Sequence, residues 1–423
     1  MHKLSLSFAL LTCCGYWRPT KWSARSLKYW LYNIYSASMI CLLYFVTFCT
    51  FIDSLISKDL KTMSDKSSLL ISVFGVCLKV TNLFLRRGRI VSVMNILLND
   101  NCIPKNEQEK TIQRRNDNYF YLLFFATVAQ YNKFISTMTL PVSDWVPYDI
   151  SSKKMFIITL IQQTIGLMIC ANTSVANETL ISGLMIQGGA QFEIFCHRAR
   201  NLSSLFKDAK RNSESGEDFK IKCKVIIRNM VEYHLEVYKF VETVNTVFTY
   251  MIFLQFSISS TVLCLTIYKM STMDPFSVNF VWSFSYLCCM LMQVYLYCWF
   301  GNEVTLKSNK VCDAIYEIDW SILPVDITKD LLLIMARSRK PVKMTSAHIV
   351  VLSVESFTTV SRMELFQYYT IICIYNLSFV LYVENRNNGS KKNYKYSYQQ
   401  YFPSTNQEKY FCRKNTSPIH SVD

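Results

Sequence analysis

The chain has 423 residues, of which 51% are hydrophobic and 18% are charged, and its formal net charge is +15. Only 10 glycines and 9 prolines are present, which argues against collagen-like segments and turn-rich sheets. The Lys and Arg residues lie between apolar blocks and accompany no nucleic-acid-binding motif. The charge therefore indicates the loops of a membrane protein, and we expect no nucleic-acid partner.

Apolar blocks of about 20 residues alternate with polar segments along the chain. A helix needs about 20 such residues to cross a hydrocarbon core about 30 Å thick, and within lipid only helices or closed barrels satisfy their own backbone. The blocks show no strand-like alternation. The predicted spans are 29–52, 67–85, 118–141, 155–188, 247–269, 277–300 and 345–383. The predicted fold class is all-α, a polytopic protein of the lipid bilayer with seven transmembrane helices.

The distribution of basic residues predicts the orientation of these helices. With the N-terminus in the cytoplasm, the inner segments are the N-terminal arm, 86–117, 189–246 and 301–344, and they hold about five, seven, ten and seven Lys or Arg. The outer loops 53–66, 142–154 and 270–276 hold about five between them. A cytoplasmic N-terminus is opposite to that of G-protein-coupled receptors.

The long inner segment 189–246 has apolar residues at helical spacing within 193–211 and 219–246, separated by a polar break at 212–217. This pattern predicts that membrane helices continue into the cytoplasm and pack there as an anchor region. Two interpretations stay open: these helices are solvated and have no special role, or they form an assembly surface.

The 16 cysteines lie mostly in apolar blocks, where a thiol behaves as a small hydrophobe. No pair has CxxC or zinc-finger spacing, so we predict no disulfide framework and no metal site. The chain also lacks the HExxH, nucleophile-elbow, phosphate-loop and dinucleotide-glycine motifs. We therefore expect no enzymatic activity, no catalytic residue and no cofactor.

A series of short motifs occupies residues 293–360. The segments are 293–303 (QVYLYCWFGNE), 314–316 (AIY), 319–320 (DW), 331–339, 340–347 (KPVKMTSA) and 352–357 (LSVESF). Their order and spacing resemble the insect odorant receptor family. Weaker similarities to that family occur at 15–19, at 178–180 and at Gln191.

The resemblance implies a seven-helix tuning subunit with its N-terminus inside. Such subunits form ligand-gated, non-selective cation channels, as hetero-tetramers with an odorant co-receptor subunit. The implied ligand is a small volatile or semi-volatile odorant, bound in the outer half of the helix bundle. The implied location is the plasma membrane, as a multi-pass protein of the olfactory sensory neuron dendrite.

Candidate ligand-binding residues follow from the orientation and from the apolar character of small-molecule pockets. The aromatic, Met and polar candidates in the outer half are Phe74, Tyr131, Phe134, Met138, Gln162, Met168, Trp282 and Tyr286. For each of them, packing against lipid or against a neighbouring helix is the alternative interpretation.

Two further sets of candidates follow from the resemblance. Tyr316 and Trp320 lie in the cytoplasmic segment after the sixth helix, where aromatic side chains would contact a neighbouring subunit or pack within their own. Glu355 and Thr359 lie in the last helix, and we assign them to the pore or its water-filled inner vestibule.

The C-terminus departs from the family pattern after Val360. Residues 1–360 constitute the receptor domain, with the last pore helix starting near 345, while 361–423 hold an apolar run at 365–383 and a polar tail. Val360-Ser361 can be encoded by GTAAGT, a splice-donor sequence, so one hypothesis is that 361–423 is a translated intron. The rival hypothesis is a genuine terminus whose apolar run completes the seventh span.

Two alternative functions belong to other classes of receptor. A gustatory receptor is a related channel, but its Thr-Tyr…Gln-Phe C-terminal pattern is not evident here. A G-protein-coupled receptor would need an outer N-terminus, which the charge distribution opposes.

Overall fold

A computed structural model of the chain describes residues 4–19, 22, 26–56, 60–118, 145–148, 153–271, 273–274, 277–323, 325–359 and 362. All of them belong to the first of two compact units, Met1–Tyr369. The second unit, Thr370–Asp423, lies outside the described residues.

The described part of the chain is built almost entirely of helices. These are α1 Ser5–Cys13, α2 Leu27–Ile56, α3 Leu60–Leu85, α4 Arg87–Leu97, α5 107–118, α6 Lys153–Arg200, α7 Leu202–Arg211, α8 Gly216–Ser271, α9 Val278–Tyr316, α10 Val325–Ser338 and α11 354–359. Single 3-10 turns occur at Asp100–Cys102 and Trp320–Ile322. Two short strands, β1 Thr345–Ser346 and β2 Val350–Val351, pair in antiparallel orientation.

Five helices in the described residues are long and apolar enough to cross a membrane. They are Leu27–Ile56, Lys66–Leu85, Lys154–Arg211, Gly216–Ser271 and Ser283–Tyr316. They contain the first, second, fourth and fifth predicted spans, and most of the sixth. The third predicted span, 118–141, and the part of the seventh beyond Thr359 lie outside the described residues, apart from Asn118 and Arg362. The predicted all-α, multi-pass fold class is confirmed.

Three helices are much longer than a membrane crossing requires. α6 has 48 residues, α8 has 56 and α9 has 39. At a rise of 1.5 Å per residue, a 56-residue helix is about 84 Å long, against a hydrocarbon core of about 30 Å. The polar break predicted at 212–217 lies at the connection between α7 and α8. The predicted continuation of helices beyond the bilayer is therefore confirmed.

The helix α6 forms the centre of the bundle, because every residue from Thr173 to Phe192 is buried. Two glycines in this stretch face neighbouring helices, one facing α8 and the other facing α9. A Cβ on Gly188 would lie 3.0 Å from Val241 of α8, and one on Gly189 would lie 3.2 Å from the Lys307 side chain of α9. Side chains at these two positions would therefore press on Val241 of α8 and on the Lys307 side chain of α9.

The start of the last helix differs from the prediction. Residues 345–351 form the β1–β2 hairpin and α11 begins at 354, rather than near 345. Side chains of α8 hold the hairpin: Asn245 accepts a 2.9 Å hydrogen bond from the Thr345 amide, and the Thr249 hydroxyl donates to the Thr345 carbonyl at 2.8 Å. The Ser353 hydroxyl then caps α11 by accepting from the Ser356 amide at 3.0 Å.

The hairpin turn has positive φ at both central residues, Ala347 (49°) and His348 (61°). The Ile349 amide donates to the Ser346 carbonyl at 2.9 Å, so the turn has the type I′ geometry that matches the twist of paired strands. Residues other than glycine seldom adopt positive φ. The sequence Ala347-His348 therefore gave no indication of this turn.

Candidate functional site

A crevice lies at the outer ends of α2 and α6, covered by the segment 145–148. Its lining residues are Phe45, Val46, Cys49, Val146, Tyr148, Thr159, Gln162 and Gln163. The Tyr148 hydroxyl lies 2.9 Å from the Thr159 hydroxyl and donates to Gln162 Oε1 at 3.3 Å. The space between these residues is about 10 Å³ in this structure, room for about one water molecule, so an odorant would enter only if the lining side chains moved apart.

An aromatic pair lies next in sequence to the lining residues Cys49 and Val146. The rings of Phe48 on α2 and Trp145 lie 6.2 Å apart in an edge-to-face arrangement. Thr159 is buried and its hydroxyl also donates to the Met155 carbonyl one turn earlier at 2.8 Å. α6 contributes three polar residues to the crevice, Thr159, Gln162 and Gln163, and the first two are three positions apart and therefore share one face of the helix.

A second polar contact joins α3 to α9 in the outer half. The Tyr286 and Ser72 hydroxyls lie 3.0 Å apart. Tyr286 also packs on a small buried cluster formed by Val262, Leu263 and Met290. A Cβ on Gly75 would lie 2.6 Å from Ile258 Cδ1, so a side chain there would require the end of the Ile258 side chain to move.

A buried ion pair connects α3 with α6 closer to the middle of the bundle. Lys79 Nζ lies 3.1 Å from Glu178 Oε1 and donates to the Ser174 hydroxyl at 3.1 Å. The Ser174 hydroxyl donates in turn to Glu178 Oε1 at 2.8 Å. The two charged side chains are only 7% and 8% exposed. Ionisable groups are costly inside a membrane protein, and mutual pairing offsets part of that cost.

Comparison with known proteins assigns this architecture to a family. The family described as "7tm Odorant receptor" matches residues 59–365, well over half of the chain. The chain belongs to the odorant receptor family. The membership favours an odorant receptor over the gustatory alternative and identifies a receptor family rather than an enzyme family.

Several odorant receptors are similar in sequence. Odorant receptor Or1 of Anopheles gambiae is 22% identical over 339 residues, which cover 73% of this chain and 80% of that relative. Odorant receptor Or2 of the same species is 25% identical over 146 residues, or 34% of this chain and 38% of that relative.

Solved structures show the same fold. The insect olfactory receptor OR5 from Machilis hrabei, solved alone and in complex with eugenol, matches with a TM-score of 0.75. The match covers 88% of this chain and 97% of that chain at 14% sequence identity. At this identity the likeness shows the fold alone.

The predicted ligand-binding residues of this odorant receptor occupy different environments. Gln162 is half-buried in the outer crevice, and Tyr286 is at the α3–α9 contact. Phe74 is 52% exposed and Met168 is 39% exposed. Tyr131, Phe134, Met138 and the side chain of Trp282 lie outside the described residues.

Sequence reasoning missed four polar residues at these contacts: Ser72, Tyr148, Thr159 and Gln163. Thr159 could have been found from its spacing, because it precedes Gln162 by one helical turn. Tyr148 lies outside the predicted spans, and Ser72 is a small residue in an apolar block, so neither gave a signal. Lys79 was also not among the predicted residues, although a lysine inside an apolar membrane helix is rare and usually has a charged partner.

The two predicted subunit-contact residues differ in how far they are exposed. Tyr316 is 74% exposed at the end of α9. Trp320 is partly buried against the main core of its own chain, and its indole N–H donates to the Tyr316 carbonyl at 3.2 Å. The structure thus leaves Tyr316 on the surface and packs part of Trp320 within its own chain.

Glu355 and Thr359 both lie in α11. Glu355 is exposed in the first turn, and the Thr359 hydroxyl donates to the Glu355 carbonyl at 3.0 Å. No cluster of three His, Cys, Asp or Glu side chains suited to a metal occurs in the part of the chain that the structure describes.

A polar network holds the connection between α4 and α5 against α6. Arg198 donates to both carboxylate oxygens of Glu109 at 2.9 Å, and to the Asn101 carbonyl at 2.6 Å. Its guanidinium also lies 4.4 Å from the centre of the Tyr233 ring on α8. Burial alone would raise the pKa of Glu109, but the hydrogen bonds from Arg198 and the Lys105 amide outweigh it and hold this pKa below its usual value.

Proposed function

We propose that this odorant receptor binds a small volatile or semi-volatile ligand in the outer crevice and gates a non-selective cation channel. The observation that carries the proposal is the polar group formed by Tyr148, Thr159 and Gln162 between apolar walls. The similar receptor from Machilis hrabei was solved with eugenol, which supports a small organic ligand for this chain as well.

The polar group can recognise a ligand at low energetic cost. Tyr148 and Gln162 are joined by a 3.3 Å hydrogen bond that a ligand hydroxyl or carbonyl can replace. Exchange of one hydrogen bond for another is nearly neutral, whereas a buried polar atom left unpaired costs about 1–3 kcal/mol. Ligands with a suitably placed polar atom should therefore be selected over pure hydrocarbons. Phe74, Met168, Trp282, Tyr286 and the three candidates in 119–144 remain predicted contacts.

Assembly with an odorant co-receptor subunit into a hetero-tetramer is the second part of the proposal. Large apolar side chains are exposed on the predicted cytoplasmic parts of α8 and α10: Ile221 (62%), Leu235 (60%), Val325 (72%), Leu332 (51%) and Leu333 (69%). This exposed apolar surface suits contact with a protein partner. Together with the exposed ring of Tyr316, it favours an assembly surface over solvated helices without a role.

The ion pathway is assigned to the last helix. Glu355 is exposed at the start of α11, where a carboxylate facing an inner vestibule would favour cations. Thr359 follows one turn later. The location that fits these roles is the plasma membrane of the olfactory sensory neuron dendrite.

Co-expression with an odorant co-receptor in oocytes tests this function. Currents are recorded against an odorant panel for the 423-residue chain and for a version with a family-like end after Val360, with the co-receptor alone as control. We expect odorant-evoked cation current, robust only with the family-like end. Current no greater than that of the co-receptor alone, for both versions and all odorants, would overturn the proposal.

A further inference from the structure

A cavity of about 360 Å³ lies between α5, α6 and α9, away from the outer crevice. Its lining residues are Arg115, Glu193, Cys196, Arg200, Lys307 and Lys310. Four of these six are cations and one is a carboxylate. Three of the four cations pair with carboxylates in or beside the cavity and the fourth, Lys310, pairs with none that the structure describes, a feature that odorant binding does not explain.

Helical spacing brings these residues onto facing surfaces. Glu193, Cys196 and Arg200 are three and four positions apart and occupy one face of α6. Lys307 and Lys310 are three positions apart on α9, and Arg115 lies on α5. The charged side chains therefore surround one cavity, because one face of each of three helices lines it.

Carboxylates in and beside the cavity pair with three of its cations. Glu303 lies 4.0 Å from Lys307, and Asp313 is close enough to act on Arg200. Glu193 is shared, since Arg115 bonds to one of its oxygens and Lys307 lies 3.3 Å from the other. Arg200 pairs at 2.7 Å with Glu317, which does not line the cavity.

Lys310 is the least compensated of these cations. It is exposed at the cavity and forms no ion pair with another residue that the structure describes. An anion could therefore bind the Lys310 ammonium without displacing a carboxylate from it.

The predicted position of the cavity is just inside the cytoplasmic boundary of the membrane. Arg115 precedes the predicted third span, 118–141, by three residues, and Lys307 follows the sixth, 277–300, by seven. At 1.5 Å per residue these offsets are about 5–10 Å along the helix axes. Basic pockets between transmembrane helices on the cytoplasmic side suit phosphorylated lipid headgroups.

We propose that this cavity binds a phosphomonoester-bearing anion, either the headgroup of an inositol phospholipid or a soluble inositol phosphate. Guanidinium groups match phosphate oxygens in pairs, and lysines act as point charges around them. The bound anion bridges α5, α6 and α9 and stabilises their cytoplasmic ends. This site adds a second class of ligand to the receptor and does not depend on which odorant it binds.

The test uses the purified 423-residue chain and compares two sources of the same headgroup. One arm titrates inositol 1,4,5-trisphosphate into detergent-solubilised protein. The other places the protein in nanodiscs that contain phosphatidylinositol 4,5-bisphosphate, or phosphatidylserine at equal total charge. Lys310→Gln removes a cation without breaking an ion pair, and Lys210→Gln, at an exposed lysine near the end of α7, is the matched control.

We expect saturable binding that Lys310→Gln weakens about three- to tenfold and Lys210→Gln leaves unchanged, because the first lines the cavity and the second does not. Saturation in the soluble arm identifies a free inositol phosphate, and saturation only in the bisphosphate nanodiscs identifies the lipid. Equal weakening by both substitutions, equal response to phosphatidylserine, or no saturable binding in either arm would overturn the proposal.

Discussion

Lys79 and Glu178 face each other across the α3–α6 contact, with 3.1 Å between Nζ and Oε1, and both side chains are almost completely buried. Ser174 bonds to each of them, so the group is a satisfied three-member network. Breaking such a pair leaves one uncompensated charge, whereas replacing both members by apolar residues removes the problem.

We predict that Lys79→Met destabilises the receptor by about 3–5 kcal/mol, while Lys79→Met combined with Glu178→Leu recovers most of that loss. The physical reason is that only the single substitution leaves a buried carboxylate unpaired. The melting temperature of each purified variant is measured by heating the protein and using size-exclusion chromatography to follow the loss of folded receptor. Equal melting temperatures for the single and double variants would show that the pair contributes nothing specific.

Arg198→Met should destabilise the receptor strongly, by about 3 kcal/mol, because the Glu109 side chain is only 1% exposed and loses both of its hydrogen bonds to the guanidinium. Arg228→Met is the matched control, since Arg228 pairs with Glu232 one turn away on α8 and is 80% exposed. The control should change stability by less than about 0.5 kcal/mol. Denaturation in detergent compares them, and similar losses for both would contradict the assigned role of Arg198.

The same pair predicts a pH dependence. The pKa of Glu109 is held below its usual value of 4.5, so its contribution to stability is present above pH 4.5 and is lost as the pH falls through the lowered value. In Arg198→Met, burial dominates and raises this pKa, so acidification relieves the unpaired charge. Melting temperature should thus fall on acidification in the unmodified receptor and fall less, or rise, in the variant. Parallel pH profiles would contradict this assignment.

Two glycine substitutions separate helix propensity from packing. A Cβ on Gly301 would lie 2.5 Å from Leu352 Cβ, so Gly301→Ala should displace the segment that leads into α11 and cost about 1–3 kcal/mol. Gly88, in α4, has nothing within 4 Å of an added Cβ, so Gly88→Ala should be neutral or stabilise by up to about 1 kcal/mol. Melting curves and odorant-evoked currents of the two variants test this. An unaffected Gly301→Ala receptor would show that the contact between α9 and the segment leading into α11 is not tightly packed.

The membrane spans could be predicted because hydropathy is a local property of about 20 residues. The hairpin at 345–351 could not, since the polar groups that hold it, on Asn245 and Thr249, are 100 and 96 positions away from Thr345. For the same reason the sequence did not reveal that Glu178 is the partner of Lys79, because the two residues lie on different helices, α3 and α6. In the outer half, Gln162 was predicted as a polar residue in an apolar helix, but Tyr148 reaches it from a loop that carries no pattern of its own.

Odorant binding in the outer crevice is tested most directly by concentration–response curves for Thr159→Val and its matched control Thr164→Val, recorded with the co-receptor. The Thr159 hydroxyl contacts Tyr148, whereas Thr164 is exposed on α6 and its hydroxyl donates to the Leu160 carbonyl of its own helix. The predicted result is about a tenfold higher half-maximal odorant concentration for Thr159→Val and no change for Thr164→Val. Unchanged curves for Thr159→Val, or equal shifts for both variants, would contradict binding at this site.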